Sequence, residues 1–349
     1  MSTNLDSIPV FLLTGFLGSG KTTLLARLLK NSAFHDSAVL INEFGEVGLD
    51  HHLLGRIDDT MVLLSSGCLC CTIRGELAFA IRELYSKRER GLIPRFRRLI
   101  VETSGLADPL PAIATIAADK VLKHHFRIGA VIATIDAVNG RKTLLQQPES
   151  LKQAAIADRL VLTKTDLCDQ RTVMDVIDAV RIINPDSPLY DACDDRLDLA
   201  DVLVEQSAPI QVPSGISCAE VPPGMLHGRS TSSFSLVIDR PVDWTLFGLW
   251  LTMLLNRHGE NILRVKGLLN VEGTDRPVAI HGVQQLVHPP THLSMWPDDD
   301  RRSRLIFILR GGSSASISRS LQAFGLLDDG NPPRNAQQRI ASGQDMLFS

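Results

Sequence analysis

Along the first two hundred residues, short apolar runs rich in β-branched side chains alternate with longer stretches whose apolar positions recur every three or four residues. The short runs predict strands at 8–14, 38–42, 98–102, 128–136 and 159–163, with a briefer one at 188–190. The longer ones predict amphipathic helices at 23–29, 73–90, 110–122, 151–157 and 172–183. Asp108-Pro109 marks the start of the third helix, because Asp suits an N-cap and Pro the first helical position. Strand and helix taking turns in this way predict an α/β domain: a mostly parallel sheet flanked by helices, with functional loops at the carboxyl ends of its strands.

The alternation fails between 206 and 233, where Pro209, Pro213, Gly215, Pro222, Pro223, Gly224 and Gly228 accumulate. Such a stretch predicts an irregular connector. Beyond it, 235–238, 264–271, 278–287 and 304–309 read as strands, and 244–258 and 316–324 as helices, which makes a smaller α+β domain. The expected organisation is therefore 1–207, a linker at 208–232, a second domain at 233–327 and a polar tail at 328–349.

The first predicted strand runs into Gly15-Phe-Leu-Gly18-Ser19-Gly20-Lys21-Thr22, and a helix follows. Strand, Gly-x-x-x-x-Gly-Lys-Thr and helix in that order predict a phosphate-binding loop. Its glycines let backbone N–H groups turn toward phosphate oxygens, and the helix adds its positive end. Lys21 is expected on the β- and γ-phosphates and the Thr22 hydroxyl on Mg²⁺. The strand at 159–163 ends in Thr163-Lys164-Thr165-Asp166. A carboxylate such as Asp166 accepts from both N1–H and the exocyclic amine of guanine, whereas adenine offers an acceptor at N1 and no amine at C2. The pattern therefore predicts GTP over ATP, with the Lys164 stem over the base plane.

The strand at 98–102 ends in Glu102-Thr-Ser-Gly105. An acid at that place predicts the second half of a phosphate site, with Glu102 approaching Mg²⁺ and the Gly105 N–H facing the γ-phosphate. Asn42-Glu43-Phe44-Gly45-Glu46 follows the second strand, where a segment that senses the γ-phosphate or orients the attacking water belongs.

Six cysteines are present, and three of them fall in Cys68-Leu69-Cys70-Cys71; Cys168, Cys193 and Cys218 are scattered. A disulfide scaffold would distribute its cysteines in pairs, so the cluster predicts a thiolate metal site in a reducing, cytoplasmic setting. Thiolates select Zn²⁺, Cu⁺ or Co²⁺ over Mg²⁺, and a tetrahedral site needs a fourth ligand, for which Glu43, Glu46, His51 and His52 are candidates. A net charge of −3 gives no electrostatic case for nucleic acid or an anionic membrane. No apolar run reaches the length of a membrane span, and the amino terminus lacks the order of a secretory signal.

Together these segments resemble the CobW family of P-loop GTPases, itself similar to the GTPases that insert nickel into urease and hydrogenase. The resemblance is carried by the glycine loop, by Asn42–Glu46, by Gly67-Cys-Leu-Cys-Cys-Thr72, by Glu102-Thr-Ser-Gly-Leu-Ala-Asp-Pro109 and by Thr163–Asp166. It continues through Ile262-Leu-Arg-Val-Lys-Gly-Leu268, Gly282-Val-Gln, His288-Pro-Pro and Trp296-Pro, and so covers about residues 8–325. It implies phosphate and Mg²⁺ binding by Gly18, Gly20, Lys21, Thr22 and Thr23, transition-metal binding by Cys68, Cys70 and Cys71, and guanine recognition by Lys164 and Asp166. It further implies a metallochaperone for Zn²⁺, or Co²⁺ in some members, with a client metalloprotein and a nucleotide- or metal-dependent homodimer. The histidine-rich connector of many relatives is missing: only His227, with Cys218 nearby, stands there. Two rival readings are a metal or thiol-redox sensor with structural nucleotide, distinguished by negligible GTP hydrolysis, and a P-loop small-molecule kinase, distinguished by a phosphorylated acceptor.

Overall fold

The computed structural model describes residues 7–43, 61–65, 72–203, 231–311 and 314–327. Its first sheet has seven strands in the order β3–β2–β4–β1–β5–β6–β7. These are β1 (Ile8–Gly15), β2 (Ser37–Glu43), β3 (Met61–Ser65), β4 (Arg98–Glu102), β5 (Phe126–Asp136), β6 (Arg159–Thr163) and β7 (Leu189–Asp191). Every pairing among them is parallel. Helices α1 (Lys21–Lys30), α2 (Thr72–Glu89), α3 (Leu110–Ala118), α4 (Leu122–His125), α5 (Gly140–Gln146), α6 (Pro148–Ile156), α7 (Gln170–Ile183) and α8 (Leu199–Val202) connect the strands.

All eight residues of β1 are buried, as a central strand covered on both faces requires. It pairs with β4 through Leu12↔Val101 and with β5 through Leu12↔Val131. The chain builds β2–β4 on one side of β1 and β5–β7 on the other. The carboxyl edge of β1 thus lies where strand order reverses, the place at which open α/β sheets bind ligands.

Among the departures from the sequence reading, three have plain local reasons. β3 was not anticipated: five residues amid polar neighbours carry too little pattern to stand out. The helix expected over 110–122 stops at Ala118, because Asp119 turns extended and its Oδ1 accepts from the N–H groups of Val121 (2.9 Å) and Leu122 (3.0 Å), starting α4. Those same bonds, that to Leu122 foremost, hold the Asp119 carboxyl below its ordinary range. The strand expected over 278–287 is a hairpin, β10 (Val278–Val283) and β11 (Leu286–Val287), turned at Gln284 with φ +51°.

Contacts group the described residues into two units, those within Met1–Ile177 and Ser187–Ser207, and those within Asp178–Asp186 and Ala208–Ser349. The second unit holds an antiparallel sheet in the order β11–β10–β9–β13–β8, with β12 (Thr291–His292) beside β10. Here β8 is Thr231–Ile238, β9 Ile262–Leu269 and β13 Ser303–Arg310. Helices α9 (Trp244–His258) and α10 (Ser314–Ala323) share one core with this sheet. Trp250 is its largest buried side chain, edge-on to Phe307 and donating from Nε1 to Ser320 Oγ at 2.9 Å.

Candidate nucleotide-binding site

The glycine loop leaves β1 and closes onto α1, as the sequence order predicts. Gly15 adopts φ +141°, and a Cβ there would lie 2.3 Å from Thr134 Oγ1 and 2.6 Å from Ser19 Oγ. Only glycine lets the loop turn against β5 at that distance. Ser19 and Thr134 hydroxyls meet at 2.6 Å. Lys21 folds over the loop it follows, its Nζ donating to the carbonyls of Gly15 (3.0 Å) and Phe16 (3.3 Å). Gly18 and Thr23 are exposed, while Ser19 and Lys21 are buried.

On the opposite wall, Thr22 Oγ1 donates to Glu102 Oε1 at 2.7 Å, joining the start of α1 to the end of β4. A hydroxyl and a largely buried carboxylate side by side form a hard oxygen donor set. That set fits Mg²⁺, which would take up Thr22 and Glu102 oxygens and supply charge neutralisation to phosphate oxygens. Gly105 is buried on the loop after β4, and a Cβ there would stand 2.7 Å from Leu17 N. The two loops are in backbone contact.

The guanine-type loop sits beside the phosphate loop. Thr163 Oγ1 donates to Ser19 O at 2.8 Å. Lys164 adopts φ 59° and its Nζ donates to Asp136 Oδ2 at 2.7 Å. Burial raises the Asp136 pKa, but the Lys164 ammonium, the Val138 N–H and the Asn139 side chain together outweigh it and leave the carboxyl below its ordinary range. Asp166 is exposed; its Oδ1 accepts from Cys193 Sγ at 3.1 Å. Asp191, at the end of β7, accepts from Thr165 Oγ1 and from Cys193 N, both at 2.8 Å, and so ties the two loops together. A cavity of about 360 Å³ runs along Phe16–Ser19 and is bounded by Asp136, Lys164 and polar residues of α5 and α6.

Thus Gly15, Gly18, Ser19, Gly20, Lys21, Thr22, Glu102, Gly105, Thr163, Lys164 and Asp166 all lie at the carboxyl edge of one sheet, within one unit. Cys68, Cys70, Cys71 and Glu46, with His51 and His52, lie outside the described residues, and Glu43 is described only as the last backbone position of β2. Among the described residues no group of three or more His, Cys, Asp or Glu side chains could hold a metal ion. The sequence reading missed Thr134, Asp136, Asp191 and Cys193. Asp136 was open to discovery, because it ends a predicted strand where functional loops begin.

A phosphate loop, an acid at the end of the neighbouring strand and a Thr-Lys-x-Asp loop on one parallel sheet define a P-loop nucleotide-binding protein. Comparison with known proteins carries this further. Residues 9–191 match the CobW/HypB/UreG nucleotide-binding domain and residues 231–325 the cobalamin synthesis protein CobW carboxy-terminal domain. The chain belongs to the CobW family. It is 32% identical to the zinc chaperone YjiA of Escherichia coli, over 87% of this chain and 94% of that one. It is 29% identical to the zinc-regulated GTPase metalloprotein activator 1 of Schizosaccharomyces pombe, over 76% and 73% respectively. A Zn(II)-bound triple mutant of YjiA GTPase superposes with a TM-score of 0.73 at 28% identity, covering 93% of this chain and all of that one. None of the helices among the described residues is long and apolar enough to cross a membrane.

Proposed function

We propose that this protein is a GTP-hydrolysing metallochaperone that carries Zn²⁺ and passes it to a client metalloprotein. The observation that carries the GTPase half is the pairing of Thr22 with Glu102 beside a glycine loop and a Thr163–Asp166 loop on one sheet edge. Lys21, now held by two loop carbonyls, turns to the β- and γ-phosphates when GTP enters. Thr22 and Glu102 hold Mg²⁺, Gly105 offers its N–H to the γ-phosphate, and Asp166 exchanges the Cys193 thiol for the guanine N1–H and amine. Lys164, fixed by Asp136, covers the base.

The zinc half rests on the cysteine motif and on the relatives named as zinc chaperones. In chain order the motif is framed by the end of β3 at Ser65 and the start of α2 at Thr72, and Glu43 is the register partner of Ser65. Cys68, Cys70 and Cys71 supply thiolates in a reducing cytoplasm, and Glu43 or Glu46 completes the site. The γ-phosphate gates the metal because the segment that senses it and the thiolates leave adjacent strands.

The test is the affinity for Zn²⁺, set against Co²⁺ with a chromophoric competing chelator, in Mg²⁺–GMPPNP and in Mg²⁺–GDP. Tighter zinc binding with the triphosphate analogue supports the proposal. Equal affinity in the two states removes the gating, and negligible phosphate release from GTP with and without zinc removes the enzyme.

A further inference from the structure

We infer that Gln153 of α6 is a positioning residue for hydrolysis: it sets the place of the Gly105 loop against the phosphates and thereby the preference for GTP over GDP. The inference rests on the proposed role of Gly105 at the γ-phosphate. Gln153 is fully buried, and its single amide nitrogen donates to two carbonyls of that loop, Gly105 O at 3.1 Å and Ala107 O at 3.0 Å. Both hydrogens of the amide are used, so the loop is gripped at two points two residues apart. The adjacent Lys152 Nζ meets Asp108 Oδ2 at 2.8 Å, and Asp108 Oδ1 accepts from Leu110 N at the start of α3. Consecutive residues of one helix thus hold Gly105, Ala107 and Asp108.

The composition of this contact argues for positioning over packing. Gln153 Oε1 is buried and has no hydrogen-bond partner among the described residues. An unpaired buried acceptor is destabilising, so the site tolerates a cost to keep the two donors in place. The loop also abuts Leu17 of the phosphate loop, with no room for a Cβ on Gly105. The Gly105 peptide is therefore fixed by an amide on its carbonyl and by a neighbouring backbone against its Cα, as a preorganised donor to a transition state must be. Ser150, one turn earlier on α6, lines the cavity along Phe16–Ser19, so the same helix reaches both that cavity and the Gly105 loop.

The test compares wild type, Gln153→Leu, Lys152→Met and Gly105→Ala by kcat and KM for GTP and by equilibrium affinities for GDP and GMPPNP, all with Mg²⁺. Leu keeps the volume and removes the donors. Gln153→Leu is expected to lower kcat about tenfold or more and to reduce the GMPPNP-to-GDP affinity ratio by a similar factor, with GDP affinity nearly unchanged. Lys152→Met, at a partly exposed position, shifts the ratio the same way by about two- to threefold and serves if the leucine variant does not fold. A folded Gln153→Leu protein with unaltered kcat and unaltered ratio overturns the inference, as does an equal loss of both nucleotides. Gly105→Ala separates the two layers. If it leaves the ratio untouched, the reading of Gly105 has failed; if it shifts the ratio while Gln153→Leu does not, only the inference about Gln153 has failed.

Discussion

Adding one methyl group at Gly105 perturbs the proposed γ-phosphate contact by an amount the structure lets us state. On the present backbone the new Cβ would lie 2.7 Å from Leu17 N and 2.8 Å from Leu17 Cα and Cδ2. The Cδ2 atom can rotate aside, whereas the other two are backbone. Ordinary contact needs about 3.5 Å, so one of the two loops must retreat by roughly 0.7–0.8 Å. A misplacement of about 1 Å costs on the order of a hundredfold in rate, and loss of one preorganised donor costs about 10²–10³. Gly105→Ala is therefore expected to lower kcat by about 30- to 100-fold, or about 2–3 kcal/mol of transition-state stabilisation. GDP has no γ-phosphate, and its affinity should change only about two- to threefold.

The assay is phosphate release at saturating Mg²⁺–GTP, with GDP affinity measured calorimetrically on the same preparation. A kcat within about threefold of wild type would refute the assignment of Gly105 to the transition state. A parallel fall in affinity for GDP and GTP would refute it differently, since the strain would then have gone into Leu17 and the phosphate loop.

Four further outcomes are expected. Cys193 is exposed with its thiol on Asp166, so Mg²⁺–GDP, by taking that carboxylate from the thiol, should raise its rate of alkylation by iodoacetamide several-fold in peptide mapping; a rate unaltered by GDP would place guanine elsewhere. Cys168, whose thiol is pushed up by burial and by Asp136, Asp169 and Asp166, should remain the slower of the two throughout. Cys68→Ala should weaken Zn²⁺ binding at least about tenfold without altering GDP affinity in metal-free buffer, as a chelator titration will read. In the second unit, burial raises the Asp186 pKa to about 6 despite the opposing Lys266, Arg264 and Arg181. The native state then holds a proton that the unfolded chain has released, so stability is greatest below about pH 4 on this account and falls as pH rises toward 6. Asp186→Asn should flatten that slope, worth on the order of 3 kcal/mol, in urea titrations followed by tryptophan fluorescence. All three tryptophans, Trp244, Trp250 and Trp296, belong to this unit; an identical slope in the variant would exclude Asp186 as its source.

The strands at 98–102 and 159–163 were legible to the residue, because buried parallel strands read as uninterrupted apolar runs ended by a polar residue. The placement of Gly15–Thr22, Glu102 and Thr163–Asp166 at the carboxyl edge was legible for a related reason: each is a spacing motif that ends or follows such a run. What escaped were long-range partners of ordinary residue type. Asp191 and Cys193 reach the guanine loop only because β7 pairs with β6, through Leu162↔Asp191, and no spacing along the chain announces that. Helix α5 (Gly140–Gln146) escaped as well, since it buries little more than Gly140 and Leu144 and so has almost no periodic signal.

A row of buried hydroxyls joins the Thr163–Asp166 end of the proposed site to its phosphate-loop end. Thr163, Thr134, Thr14 and Thr103 lie within two residues of the carboxyl ends of β6, β5, β1 and β4, four neighbouring strands, and all are buried. Thr163 donates to Ser19 O, Ser19 meets Thr134, Thr134 donates to Thr14 O at 3.3 Å, and Thr103 donates to Thr14 Oγ1 at 3.0 Å. Thr103 N also bonds Leu13 O at 2.9 Å. Each hydroxyl sits where an apolar side chain would pack as well, so its use lies in fixing one strand end against the next. With that row bonded from β6 to Thr103, a response to the γ-phosphate cannot begin within it without breaking buried hydrogen bonds. On the proposal made above for Gly105, the segment just beyond the row, Ser104–Asp108, is the place for it, bonded by Gln153 and Lys152. Exchanging the hydroxyl of Thr103 for Val should therefore loosen both ends together, lowering GDP and GMPPNP affinities in parallel, whereas the Gln153 variant separates them.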